Sequence, residues 1–514
     1  MSFLLLEKKL AIFTNNTVLS LFVIGFIGIV VRLYYFPHGI PLSLDTLTYF
    51  FYANDISILN KLPTGYDFPN NGWSVFISFF FSIFHSNNIL DYMDLQRYLS
   101  ISISVLTVVP VYFLCRRFVE KQYCLFGAVL FVLDPRLVQN SLFGDTQPLF
   151  IFLGAVSLAT FFSKNMKIVY VSFSVAAMSA LIRYEGLLLI APFAIMYLVR
   201  FRKENKIILK FCVVIAVFLL VIIPASYIRV QSEGQDGLTS HIVGGAVATD
   251  NLMKVDNEKG GVNFIINGFV NLLRFLGWVL IPIFIFFVPL GFFYFVRKRD
   301  HKMVTIMLVL FIMLLPALYA YARDIQETRY LYFVFPIFCI FSGFAIKKFL
   351  SKTKRENLVL VAVICCVVGA SLIFLDYKKL DYDQEREAYE ISKHVSTLTK
   401  VTNDYYPEAK YIRVPPLTHD FPSVINGIKF GPEIIPVEEF DSLEKFIDSA
   451  NGRLDHLVLD GSKSRPNFLN EVYFNEQKYP YLTKEFDSKE LGFDYHVKIY
   501  KIDYEKYATD KNSK

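Results

Sequence analysis

Long apolar runs dominate the chain and recur as far as Leu375. Many approach or exceed the roughly twenty residues that a helix needs to cross a bilayer. The pattern predicts about eleven spans, at 18–36, 99–114, 123–133, 149–162, 168–182, 187–198, 207–228, 272–296, 303–321, 330–346 and 358–375. A shorter apolar stretch, 73–84, reads as interfacial. Between span one and that stretch lies SLDTLTYFFYAND, 43–55. As a helix it places Asp45, Thr48, Tyr49, Tyr52 and Asp55 on one side and Leu47, Phe50, Phe51 and Ile58 on the other. That is an amphipathic element suited to a membrane surface. Ser43 is a candidate cap, and Asp45 would complement the dipole of the first turn.

After Tyr377 the apolar runs stop and mixed polar sequence follows. Helix patterns at 385–399, 442–449 and 467–475 alternate with strand patterns at 411–414, 455–459 and 495–502, which predicts a small α/β domain. The expected class is an α-helical polytopic membrane protein with a small C-terminal α/β soluble domain. The expected division is 1–376 for the membrane domain, with interfacial helices in a first external loop, 38–97, and 377–514 for an external domain.

Charge fixes an orientation. The formal net charge is +6, and the bases fall in alternate connections. One set holds Lys8 and Lys9; Arg116, Arg117 and Lys121; Lys164 and Lys167; Arg200, Arg202, Lys203 and Lys206; Arg297, Lys298, Arg299 and Lys302; and Lys347, Lys348, Lys352, Lys354 and Arg355. The positive-inside rule puts that set in the cytoplasm, with the N-terminus inside and the tail outside a plasma membrane. Span one lacks a small-residue cleavage site and reads as a retained anchor. The six cysteines lie in or beside apolar spans, which argues against a disulfide framework and against metal-type spacing. No nucleotide-binding glycine motif is present, and no nucleic-acid partner is expected.

In this orientation the acids and arginines at span ends gather outside: Asp45 and Asp55, Asp134, Arg136 and Asp145, Arg183 and Glu185, Arg323, Glu327 and Arg329. Spans three, five and six have about eleven to fifteen apolar residues. At about 1.5 Å per residue that covers roughly 17 to 22 Å of a roughly 30 Å core, so their outer ends should be recessed. Charges at such depth point to a functional site. The Gly-rich segment 231–271 is expected to be a mobile loop of a length suited to a lid.

An acid soon after span one, an Asp before span four and an Arg near an external span end resemble the polytopic C-type glycosyltransferases. The nearest members are protein O-mannosyltransferases and the aminoarabinose transferases of lipid A. The resemblance runs loosely over spans one to ten. It implies an inverting transfer of a sugar, in the manner of dolichyl-phosphate mannose, from a polyprenyl-phosphate carrier to a hydroxyl acceptor on protein, lipid or glycan. The sequence also departs from the family. Asp45 is followed by Thr46 where the mannosyltransferases carry Asp-Glu, and there is no WWDYG motif of the oligosaccharyltransferases, the only tryptophans being Trp73 and Trp278.

A phosphate leaving group calls for arginines, and a hydroxyl nucleophile calls for a carboxylate base. Asp45 is the expected base. Arg183 and Arg329 are expected on phosphate, with Arg136 and Arg323 behind them. Asp145 and Glu185 would orient the arginines or take sugar hydroxyls, and Asp55 would bind substrate. A divalent ion, Mg²⁺ or Mn²⁺, held through Asp45 and Asp145 ranks below a metal-free mechanism. The competing readings are a lipid or glycan transporter or flippase, an oligosaccharyltransferase-like enzyme, and a receptor or scaffold.

Overall fold

The computed structural model describes residues 16–66, 70–241, 243, 244, 260–404, 411, 432–437 and 440–513. The chain divides into two compact units. Unit 1 is Met1–Phe36, Leu59–Phe80 and Leu95–Lys379; unit 2 is Pro37–Ile58, Phe81–Asp94 and Leu380–Lys514. Segments of the first loop thus group with the tail.

The helices as far as Lys378 are α1 (Thr17–Tyr34), α2 (Leu44–Leu59), α3 (Gly72–Ile83), α4 (Ile89–Leu106), α5 (Val108–Cys115), α6 (Lys121–Leu133), α7 (Pro135–Phe143), α8 (Gln147–Phe161) and α9 (Met166–Ile182), followed by α10 (Ile190–Phe201), α11 (Ile207–Glu233), α12 (Gly260–Leu280), α13 (Phe287–Val296), α14 (His301–Met313), α15 (Leu315–Ala322), α16 (Phe335–Leu350) and α17 (Glu356–Lys378). Short 3₁₀ turns, Tyr184–Leu189 and Thr328–Val334, lead into α10 and α16. Among the described residues, eight helical stretches are long and apolar enough to cross a membrane. The chain is an integral membrane protein.

Burial sorts these helices. In α6 every residue from Tyr123 to Leu133 is buried, and α16 is buried from Phe335 to Ile346. These two pack on each other, α6 also on α5 and α1, and α16 also on α13. By contrast α11 buries only Val214, Phe218 and Arg229 along its length. A helix that is apolar all round yet exposed in the protein must be covered by lipid. Helices α6 and α16 are therefore central, and α11 is peripheral.

Three expectations need correction. Span eight is two helices: α12 ends at Leu280, and Pro282 opens the turn to α13. The segment 231–271 is not one loop. Helix α11 runs on to Glu233 and α12 begins at Gly260, while 242 and 245–259 lie outside the described residues. Helix α2 is not simply amphipathic. Tyr52 and Asp55, assigned to its polar face, are completely buried, whereas Asp45 is exposed. At its start Leu44 has a φ of 52°, and the Thr46 hydroxyl donates to the Ser43 carbonyl at 2.6 Å.

In unit 2 the tail comprises α18 (Tyr382–Leu398), β1 (Val401–Asn403), β2 (Glu433–Ile435), α19 (Leu443–Ser449), β3 (His456–Leu459), α20 (Asn467–Phe474), β4 (Leu482–Asp487), β5 (Lys498–Ile502) and α21 (Tyr504–Ser513). Strands β3, β5 and β4 form an antiparallel sheet in that order, and β1 pairs with β2 in parallel. Strand alternation covers both faces. Leu457, Leu459, Tyr500 and Ile502 pack with α19, α20 and α21, while Val458 and Ile499 pack with Ile391 and Val395 of α18. The strand expected at 411–414 lies, past Tyr411, outside the described residues.

Candidate active site

At one end of unit 1, connections far apart in sequence meet. Helix α7 leads into it. Asp134 caps α7 by accepting from the backbone N–H of Arg136 and Leu137 (3.0 and 3.1 Å), and Pro135 sits at the favoured first position. At its far end the Gly144 carbonyl accepts from Trp73 Nε1 (3.1 Å) and Gln96 Nε2 (2.8 Å), and Leu142 accepts from Arg97 Nε (3.1 Å). Trp73 and Gln96 are wholly buried. These bonds fix the peptide that delivers Asp145.

Asp145 accepts the backbone N–H of Thr146 at 2.6 Å and faces Arg329 Nη1 at 3.5 Å. Arg329 also pairs with Glu327. Arg183, at the end of α9, donates to Glu185 (2.7 Å) and to the Thr146 hydroxyl (3.2 Å). Gln147 joins the two halves. In the amide orientation that suits both neighbours it donates to Asp145 (2.6 and 3.2 Å) and accepts from Arg183 Nη1 (2.9 Å). Three connections therefore form one hydrogen-bonded network. Gly186 permits the tight turn that carries Glu185, because a Cβ there would lie 2.5 Å from the Ala180 nitrogen.

Glu185 is almost fully buried, and its Oε2 has no hydrogen-bond partner. Tyr184 beside it packs on His241, ring centroids 4.4 Å apart. Burial lowers the His241 imidazole below its ordinary range; nearby Glu185 opposes this, and Arg183, Arg229 and Arg323 reinforce it. Arg229 is itself buried and paired with Glu233 at 2.9 Å.

Of the residues singled out from sequence, Asp145, Arg183, Glu185 and Arg329 come together. Arg136 does not join them: it donates to the Trp278 carbonyl and lies 5.4 Å from the Phe374 ring centroid. Arg323 donates to the Tyr319 hydroxyl at 3.4 Å, and its charge acts on His241. Asp45 and Asp55 belong to unit 2.

Sequence reasoning missed Thr146, Gln147, Trp73, Gln96 and Arg32. Arg32 is fully buried near the end of α1 and donates to Ser141 Oγ (3.0 Å), Ser104 Oγ (2.9 Å) and the carbonyls of Gly28 (3.1 Å) and Val132 (2.9 Å). A charge inside an apolar run was its visible signal. Gln147 had only its nearness to Asp145.

Asp145 is a poor candidate for a divalent ion, because its oxygens already face the Thr146 amide, Gln147 and a guanidinium. Among the described residues no group of three or more His, Cys, Asp or Glu side chains could hold a metal.

Comparison with known proteins points one way. Residues 262–425 match the sequence model of the Alg9-like mannosyltransferase family. No curated protein matches the chain in sequence. Among solved structures, ArnT from Cupriavidus metallidurans bound to undecaprenyl phosphate is 10% identical, with a TM-score of 0.57 over 94% of this chain and 97% of that one. The oligosaccharyltransferase AglB of Archaeoglobus fulgidus, in complex with an inhibitory peptide and a dolichol-phosphate, is 12% identical, with a TM-score of 0.54 over 87% and 69%. The fold is that of the C-type membrane glycosyltransferases. The expectation from span-end acids and arginines is met at the level of fold.

Proposed function

We propose that this C-type chain is a membrane glycosyltransferase that moves a sugar from a polyprenyl-phosphate carrier to a hydroxyl acceptor. The observation that carries the reading is the convergence of Arg183 and Arg329, from separate connections, on the Asp145–Thr146–Gln147 segment at the ends of apolar helices. A carrier of this kind keeps its tail in the bilayer and its phosphate at the interface. Two guanidiniums held in place by carboxylates match that phosphate in charge and planar geometry. The family match to mannosyltransferases and the likeness to structures holding undecaprenyl phosphate or a dolichol-phosphate support the same substrate class.

In this reading Arg183 and Arg329 bind the donor phosphate, and Asp145 and Glu185 orient them. The partnerless Oε2 of Glu185 offers an acceptor to a sugar hydroxyl. Asp45 is the general base toward the acceptor, and Asp55 supports substrate from the same helix. Arg136 and Arg323 have secondary roles. The membrane domain, 1–376, carries the chemistry, and 377–514 is an external domain in the plasma membrane protein. The alternation of basic connections supports that orientation, with the N-terminus inside.

The test uses purified full-length protein and a panel of lipid-phosphate sugars. Arg183→Ala and Arg329→Ala should each weaken donor binding by about 1.5 to 3 kcal/mol, the value of a hydrogen bond to a charged group. Unchanged donor dependence in both variants would remove these arginines from the site.

A further inference from the structure

The opposite end of unit 1 carries a cluster of bases that the proposed reaction does not use. Four helix ends meet there. Lys302 Nζ donates to the Arg117 carbonyl at 2.8 Å, which ties the start of α14 to the turn after α5. Arg200 donates to the carbonyls of Phe161 and Ser163, which ties the end of α10 to the end of α8. The rings of Phe118 and Phe162 meet edge to face at 5.2 Å between those two pairs. Arg116 Nη1 donates to the Val119 carbonyl at 3.3 Å in the same turn.

Other bases at this end have acids: Lys347 pairs with Glu120, and Lys210 with Glu204. Arg116, Arg200 and Lys302 instead give their hydrogen bonds to backbone carbonyls. Bases at helix C-termini ordinarily do this, because the carbonyl ends of helices are negative. That accounts for those three and leaves Arg117. Its Nε is buried without an acceptor, and its charge is repelled by Arg200. A buried guanidinium donor with no acceptor, beside a second guanidinium, is costly. Arg117 is only half-buried, and an anion from outside the chain that met the accessible part of its guanidinium would offset the repulsion between the two.

We propose that Arg117, flanked by Arg200 and Lys302, holds the phosphate of an acidic membrane phospholipid. The occupant is a lipid rather than a soluble anion because of what borders the cluster. Phe113 on α5, Val199 on α10 and Val304 on α14 lie within about one turn of the three bases and are 53%, 51% and 46% exposed. The helix ends thus offer apolar surface for acyl chains beside bases for a headgroup. Each base near an anionic headgroup layer contributes about 1 kcal/mol, so a specific site should stand out above the diffuse attraction of the whole basic face.

The full chain is purified in nanodiscs of phosphatidylcholine mixed with phosphatidylglycerol, and retained phosphatidylglycerol is counted by native mass spectrometry. Wild type should keep bound phosphatidylglycerol, and Arg117→Gln should keep about fivefold less. Lys164→Gln removes an exposed base at the same end and should keep the wild-type amount. Equal retention in Arg117→Gln and wild type, or an equal loss in Lys164→Gln, would overturn the site. Inorganic phosphate is added as a competitor. Its displacing the lipid completely would show a free-phosphate site and overturn the lipid assignment. If Arg117→Gln fails to fold, Arg117→Lys keeps the charge without the planar fork. Retention below wild type supports the site, and wild-type retention counts against it.

Discussion

Asp45 and Asp55 share α2 but not an environment. Asp45 is exposed in the first turn, and Asp55 is completely buried. If Asp45 is the base, Asp45→Asn should lower turnover by about 10²- to 10⁴-fold while donor binding survives. Its stability cost should be small, about 0.3 to 1 kcal/mol, the value of a first-turn acid's interaction with the helix dipole. Asp55→Asn should act on folding as well as on turnover, since it changes a buried polar group. Transfer assays and thermal melts on both variants decide the matter. Normal turnover in Asp45→Asn with lost turnover in Asp55→Asn moves the base along the helix, and normal turnover in both takes α2 out of the chemistry. At this scale charged residues at the ends of apolar runs were legible, which is why Asp145, Arg183, Glu185 and Arg329 could be named together. Gln147, Trp73 and Gln96 were not legible. A neutral polar or aromatic side chain gains such a role only from the carbonyl or carboxylate that folding brings to it.

Most elements could be read to within a few residues, and the exceptions have physical reasons. Span eight read as continuous because the turn between α12 and α13 is itself apolar, Ile281 to Phe286, and only Pro282 marks it. Strand β4 escaped notice because none of its residues is fully buried, so no alternation shows. Strands β1 and β2 are three residues long, too short for any period. Between elements, the approach of α8 to the 3₁₀ turn before α16 brings Arg329 to Asp145. Gly154 makes that approach possible: a Cβ there would lie 2.2 Å from the Phe333 ring. Gly154→Ala should lower stability by about 1 to 3 kcal/mol through overpacking. A thermal melt checks this, and adding Phe333→Leu should restore part of the loss. An unchanged melt would show that the two elements can separate freely.

For the whole molecule the testable consequence is orientation. With the exposed cysteines Cys212, Cys365 and Cys366 replaced by Ser, a cysteine introduced at Ser464 should react with an impermeant reagent in intact cells. Labelling that requires permeabilised cells would reverse the topology and move the proposed site to the inner face. The distribution of length and burial was only half legible here. Hydropathy found the spans but could not tell that the short helices α6 and α8 form the centre, because lipid and protein interior are equally apolar. If Arg183 and Arg329 bind the carrier phosphate as proposed, the carboxylates that hold them also bear on the pace of the catalytic cycle. A bare pair of guanidiniums would keep the spent carrier phosphate as firmly as the loaded one, and the enzyme would stall on its own product. With Glu185, Glu327 and Asp145 already in place, each arginine has a partner to return to as the phosphate departs. On the proposed reading carrier exchange would resemble the swapping of one anion for another, and the contacts that shape the resting site would shorten product residence.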